Sequence, residues 1–296
     1  MANELCSRGH KVRVYALPLL LDGKRKCNPN ELLRDVEYFE GKHFKVKADV
    51  CYVTYNPLSF LFFQTSHPRI AGLHAQSYWI KPHLSYGFYP LTALTIYRLI
   101  GNLDLKGFDK VHTVSPCYEL NHVATVCIPN FVDSEKYKPC KKHDRFTVCY
   151  FSRNNWQKGY DVALALKNAL GDSVDFLFSN GEVPESEMPR FIGACHVAVV
   201  PSRVDTFGLS IVEALMCGVP VVTSNLETHR ALGLPVRYAS SLSDYVRNVK
   251  SLKSFWENRF EYYDEYTRYM RDSAIKKYGK TVVMDKLEEM IISSAS

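Results

Sequence analysis

The chain has 296 residues, 46% hydrophobic and 23% charged, with a formal net charge of +6 and nine cysteines. This length supports one large core or two smaller ones, and two is the usual solution. No apolar run reaches the ~18 residues needed to span a bilayer, and the nearest stretch, 87–101, is broken by Pro90 and Arg98. The first ten residues are polar, which argues against a secretory signal. The cysteines are odd in number, scattered, and form no C-x-x-C pair, so neither a zinc ribbon nor a disulfide framework is expected. A reducing cytoplasmic setting follows. Charge is uneven: 20 basic against 13 acidic residues in 1–145, and 17 against 18 afterwards. A basic first half suits an acidic substrate or an anionic membrane face, or simply keeps the surface solvated. No nucleic-acid-binding motif accompanies it.

In chain order, residues 2–10 read as the end of a helix and 11–17 as a strand. Short strands follow at 50–55, 69–73, 110–114 and 125–128. Residues 130–144, with two prolines and several charges, read as a linker. A second series then opens: strand 146–151, helix 161–170, strand 174–179, helix 184–194, strand 197–201, another helix and another strand. Residues 244–293 are mostly amphipathic helix. Alternation at this spacing predicts a parallel, doubly wound α/β sheet.

Residues 199–223, VVPSRVDTFGLSIVEALMCGVPVVT, carry the strongest functional signal. Two β-branched runs bracket a polar turn and a helix that Gly218 and Pro220 stop after about two turns. The free N–H groups of that helix start attract phosphate. Asp205 lies just before the helix and Glu213 inside it, which suits an extended anion bearing hydroxyl groups. Upstream, YFSRNNWQKGYD places Arg153 and Lys158 between a strand end and a helix start. Together they suit a diphosphate, although alone they read equally as a solvated basic loop. His74 ends an apolar strand. A lone histidine is more often structural, but strand C-termini in a parallel sheet line the ligand crevice.

Taken together, CIPNFVDSEKYKP, SRNNWQKGYD and PSRVDTFGLSIVEALMCGVPVV, in that order, resemble the family-four retaining glycosyltransferases of the GT-B fold (glycosyl transferases group 1). ELCSRGHKVRVYA is similar to that family's first helix and second strand, and KKYGKTVVMDKLEEMI to its C-terminal helices. The resemblance implies two Rossmann-like domains facing across a cleft. These would be an acceptor-side domain at 1–135 lacking its usual first strand, a nucleotide-sugar domain at 136–275, and a C-terminal helix, 276–296, returning to the first. It also implies transfer of a hexose from a nucleotide diphosphate sugar, of GDP-mannose or UDP-glucose type, to a hydroxyl of a glycan or lipid-linked acceptor, with retention.

In that scheme Arg153 and Lys158 would neutralise the leaving diphosphate, and Glu213 would hold the ribose hydroxyls. Asp205, with the backbone N–H groups of Thr206, Phe207, Gly208 and Leu209, would hold the sugar and distal phosphate. His74 would reach the sugar from the first domain, and Asn180, Gly181 and Glu182 would contact the base. No D-x-D occurs, so neither a metal nor any other cofactor is expected. Two departures stand out: Asp205 replaces the usual Glu, and Phe131 replaces a linker Gly. The competing reading is a non-catalytic nucleotide-sugar-binding subunit. A nicotinamide oxidoreductase is disfavoured because no G-x-G-x-x-G follows a strand. The aromatic stretch 78–99, with Lys81, His83 and Arg98, reads either as an acceptor lip in peripheral contact with a membrane or as ordinary core helix and loop.

Overall fold

The computed structural model describes residues 1–16, 20–21, 24–25, 33–54, 63–74, 105–117 and 124–295. The stretch 78–99 lies outside these. The chain divides into two compact units: 1–113 with 118–128 and 284–296, and 114–117 with 129–283.

In the first unit, helix α1 (Ala2–Ser7) precedes β1 (Arg13–Ala16), which pairs in parallel with β4 (Glu37–Glu40). Between them β2 (Leu20–Leu21) and β3 (Lys24–Arg25) form an antiparallel pair. Parallel β5 (Phe44–Val46) and β7 (Phe63–Thr65) make a further pair. The main sheet is all parallel, in the order β10 (Thr125–Cys127), β9 (Lys110–Thr113), β8 (Arg69–Leu73), β6 (Cys51–Thr54). Its core gathers Ala71, Leu73, Leu105 and Val111. The strands β4, β5 and β7 were not expected from the sequence: three or four residues long, each mixes apolar with polar or charged residues.

The second unit is a five-stranded parallel sheet. Its order is β12 (Asp175–Phe178), β11 (Thr147–Tyr150), β13 (Val197–Val200), β14 (Val221–Ser224), β15 (Arg237–Ala239). Because side chains alternate along a strand, each strand feeds two cores. Val148, Tyr150, Val197, Val199 and Val222 face Leu166 of α2 (Tyr160–Leu170) and Val249 and Leu252 of α6 (Leu242–Asn258). Cys149, Ala198, Val200 and Val221 face Ile192 of α3 (Met188–Gly193), Leu215 of α4 (Leu209–Met216) and Met270 of α7 (Phe260–Tyr278). Burial on both faces is why these strands are continuous apolar runs. At roughly 1.5–3 kcal/mol per buried aliphatic side chain, the two cores dominate the stability of the unit.

The helix expected at 184–194 is shorter, because Pro184 to Glu187 form turns that end where Met188 begins α3. A short helix α5 (Glu227–Ala231) and β15 complete the unit, and neither was expected. After α7, helix α8 (Lys280–Ala295) begins in the second unit and continues as part of the first. Within the first unit Arg8 beside α1 bonds Asp285 and Glu288 of α8, each at 2.7 Å, and His10 Nε2 lies 2.6 Å from Glu288. No helix among the described residues is long and apolar enough to cross a membrane.

Candidate functional site

In the second sheet, β11 is followed by α2 and then β12 on one side, whereas β13 lies on the other side of β11. The chain therefore changes direction between β11 and β13. In doubly wound sheets the ligand crevice opens beyond the strand C-termini at such a point. The loops leaving β11 and β13 hold Arg153, Lys158 and Asp205.

Lys158 Nζ donates to Asp205 Oδ2 at 2.9 Å, with the two side chains 19% and 11% exposed. His229 Nε2, from α5, lies 3.5 Å from the same oxygen, and its side chain is fully buried. That distance is too long for a well-formed hydrogen bond but short enough for electrostatic influence. Burial alone would raise the Asp205 pKa. His229 and Lys158 reverse the effect and hold it well below the usual carboxylate range. His229 Nδ1 lies 2.8 Å from Thr223 Oγ1 and 3.2 Å from the Ser224 carbonyl, so this nitrogen carries a hydrogen.

Two buried polar atoms among the described residues lack a hydrogen-bond partner, His229 Nε2 and Ser202 Oγ. Both belong to the stretch that surrounds Asp205.

The two loops are locked together by Arg203, whose guanidinium bonds Asp161 twice at 2.6 Å. The same group reaches the Trp156 carbonyl at 2.9 Å and stacks over the Trp156 ring. Backbone bonds from Arg203 and Val204 to the Gln157 carbonyl close the contact. Gly159, at φ +68°, is required here, since a Cβ would sit 2.0 Å from the Pro201 carbonyl oxygen.

Helix α4 opens on Gly208 at φ +96° with no side-chain cap, which leaves its first-turn N–H groups available to an anion. Phe207 is 4% exposed and packs edge-on against Tyr278, so only its backbone can serve a ligand. Glu213 sits in mid-helix, near the Tyr137 hydroxyl. Burial raises its pKa, and Tyr137 and Lys136 offset this only in part. Arg271 holds this corner, donating to the Met216, Tyr137 and Ser134 carbonyls. After β12, Asn180 at φ +51° and Gly181 at +73° form a tight turn that Glu182 closes onto the Ser179 carbonyl. Asn154 donates to Asn180 at 3.2 Å, joining this turn to the β11 loop.

Lys158 and Asp205 are thus brought into contact, while Glu213 has a separate partner. Arg153 is exposed and makes no ion pair among the described residues. His74 belongs to the first unit, where it follows β8 directly. Sequence reading missed Arg203, His229 and Tyr137. Arg203 stood inside the quoted P-S-R-V-D segment, but its link to Asp161 has no local signature. Tyr137 stood inside the CIPNFVDSEKYKP segment, but its approach to Glu213 has no local signature, and His229 had no signal at all.

This is a doubly wound α/β domain with a cation–carboxylate pair and an uncapped helix start at its switch point. Residues 162–232 match the family described as Glycosyl transferases group 1. The chain is 26% identical over 174 residues, 50% of its length, to an uncharacterized 41.2 kDa protein in the cps region of Klebsiella pneumoniae, covering 47% of that protein. It is 48% identical over 46 residues to O-antigen chain mannosyltransferase B of Escherichia coli, 16% of this chain and 12% of that one. The chain therefore spans about half the length of the first relative. Among solved structures it is similar to sucrose-phosphate synthase from Thermosynechococcus elongatus, with TM-score 0.60, 15% identity, and 76% and 68% of the two chains covered. It is also similar to Anabaena HepE in complex with UDP and glucose, with TM-score 0.58, 16% identity, and 76% and 72% covered. The likeness shows the fold, α/β with Rossmann-like sheets of the GT-B type.

Proposed function

We propose that this protein is a retaining, metal-independent glycosyltransferase that moves a hexose from a nucleotide diphosphate sugar to a hydroxyl of a glycan or lipid-linked acceptor. The observation that carries the reading is the Lys158–Asp205 contact at the β11–β13 switch point, beside the uncapped start of α4. The diphosphate binds at the α4 N-terminus and takes Lys158 from Asp205, with exposed Arg153 closing on it. As the sugar–phosphate bond breaks, negative charge gathers on the leaving oxygens, where both cations act most strongly. Asp205, kept ionised, accepts from the sugar hydroxyls, and His74 contacts the same sugar. Glu213 holds the ribose, and the turn at Asn180, Gly181 and Glu182 meets the base. The rest of the catalysis is positioning.

Two similar proteins support the donor class: HepE was solved with UDP-glucose, and the Escherichia coli relative is a mannosyltransferase. The eight free cysteines among the described residues fit a reducing cytoplasmic setting.

The test is a melting series against uridine, guanosine and adenosine diphosphate sugars, since a ligand bound only to the folded state raises Tm. The best donor is then assayed for hydrolysis, and the released sugar's anomeric proton is followed by NMR. A retained α-anomer from an α-linked donor is expected. Binding with no turnover would mark a nucleotide-sugar-binding subunit instead. Wild-type kinetics in R153A, K158A and E213A together would sink the site assignment.

A further inference from the structure

In the first unit, Tyr52 on β6, His112 on β9 and His74 after β8 form a chain of hydrogen bonds whose direction is set at one end. His112 Nε2 lies 2.7 Å from the Ile128 carbonyl oxygen. A carbonyl can only accept, so that nitrogen carries a hydrogen. The His112 side chain is buried, and burial pushes its pKa down to about 4. At neutral pH the ring therefore has one hydrogen, and it is already on Nε2. His112 Nδ1 is a lone pair, so the Tyr52 hydroxyl, 2.5 Å away, must donate to it. Burial also raises the Tyr52 pKa, so the phenol keeps its hydrogen. With that hydrogen spent, the Tyr52 oxygen can only accept from its other neighbour, His74 Nε2 at 2.8 Å.

Gly72 makes the geometry possible. It is the register partner of His112 on the adjoining strand, and a Cβ there would lie 2.1 Å from the Tyr52 oxygen. The rings of His74 and His112 meet edge to face, with centroids 5.4 Å apart.

We propose that Tyr52 and His112 are positioning residues that hold His74 in the Nε2–H tautomer and fix its ring plane, so that Nδ1 is the acceptor of the neutral ring. The tautomer follows from the direction of the hydrogen-bond chain, and its use in catalysis rests on the role given to His74 above.

The test is long-range ¹H–¹⁵N NMR on protein labelled at histidine, with His74 assigned by its loss in H74Q. Wild type should show a protonated Nε2 and an unprotonated Nδ1 at pH 7.5. In Y52F the acceptor is gone, and the Nε2–H preference of His74 should weaken, shifting both its nitrogens. In H112L the Tyr52 hydroxyl is freed to donate as well as accept, and the Nδ1–H share should rise. A wild-type Nδ1–H tautomer, or His74 signals unchanged in both variants, overturns the proposal. If Y52F fails to fold, the wild-type spectrum and H112L decide. Y52F should also lower kcat about tenfold with little change in the donor KM. Should the NMR shifts appear while H74A turns over like wild type, the tautomer lock stands and the catalytic use of His74 falls.

Discussion

Lys158 and Asp205 are 47 residues apart in the chain and 2.9 Å apart in space, and Asp205 has His229 on its other side. Removing one member of a buried pair commonly costs about 3–5 kcal/mol because a charge is left uncompensated. Here Lys158→Ala should cost less, about 2 kcal/mol in urea unfolding, because both groups keep some solvent contact and His229 stays beside Asp205. Turnover should fall by about 10²–10³, the scale of losing one charge-stabilising donor in a transition state. A stability loss of this size with kcat unchanged would make the pair structural only.

Arg203 acts on the same site indirectly, by binding Asp161 with a two-pronged fork and stacking on Trp156. Lysine cannot reproduce a planar fork. Arg203→Lys should therefore weaken donor binding by about tenfold, read by titration calorimetry, while changing stability by only about 1 kcal/mol because the pair is largely exposed. Equal donor affinity in R203K and wild type would remove the loop clamp from the account.

Glu213 titrates above its ordinary value because burial outweighs the influence of Tyr137 and Lys136. A raised carboxylate pKa means that protonation begins earlier as pH falls, and a protonated acid accepts ribose hydroxyls poorly. Donor affinity in wild type should decline as pH falls, beginning above the ordinary carboxylate range. In Glu213→Gln it should start about tenfold weaker and stay flat. Calorimetry at three pH values checks this, and parallel pH profiles would refute it.

His112 gives a stability signature. Its folded pKa is about 4, below the ~6.5 of an unfolded histidine. The unfolded chain thus binds the proton first as pH falls, so stability is intact above about 6.5 and is lost progressively down to about 4. At pH 5 the loss should be about 2 kcal/mol. Urea midpoints at pH 7.5 and 5.0 measure it, and His112→Leu should show a correspondingly smaller difference. An equal pH response in the variant would assign the loss to other groups.

Much of the second unit was legible in the chain. Val197 to Val200 and Val221 to Ser224 read as strands because burial on both faces leaves a continuous apolar run. Gly218 marked the end of α4 because only glycine takes its φ of +66° cheaply. The strands at 37–40, 44–46 and 63–65 were not legible. Three or four residues of mixed character carry no period, and their pairing energy comes from partners distant in sequence. Arg153 and Lys158 were read as a cationic pair, yet the structure gives Lys158 a carboxylate partner and leaves Arg153 exposed.

Sequence alone determined the alternation of strand and helix, the helix start of α4 and the placing of Asp205 and Glu213 about it, since all of these are local in the chain. Only the tertiary structure decided that Asp205 faces Lys158 and His229, that Glu213 lies near Tyr137, and that Tyr52 links His112 to His74. Strand order sets those encounters, and strand order is a property of the whole sheet that no window of sequence contains.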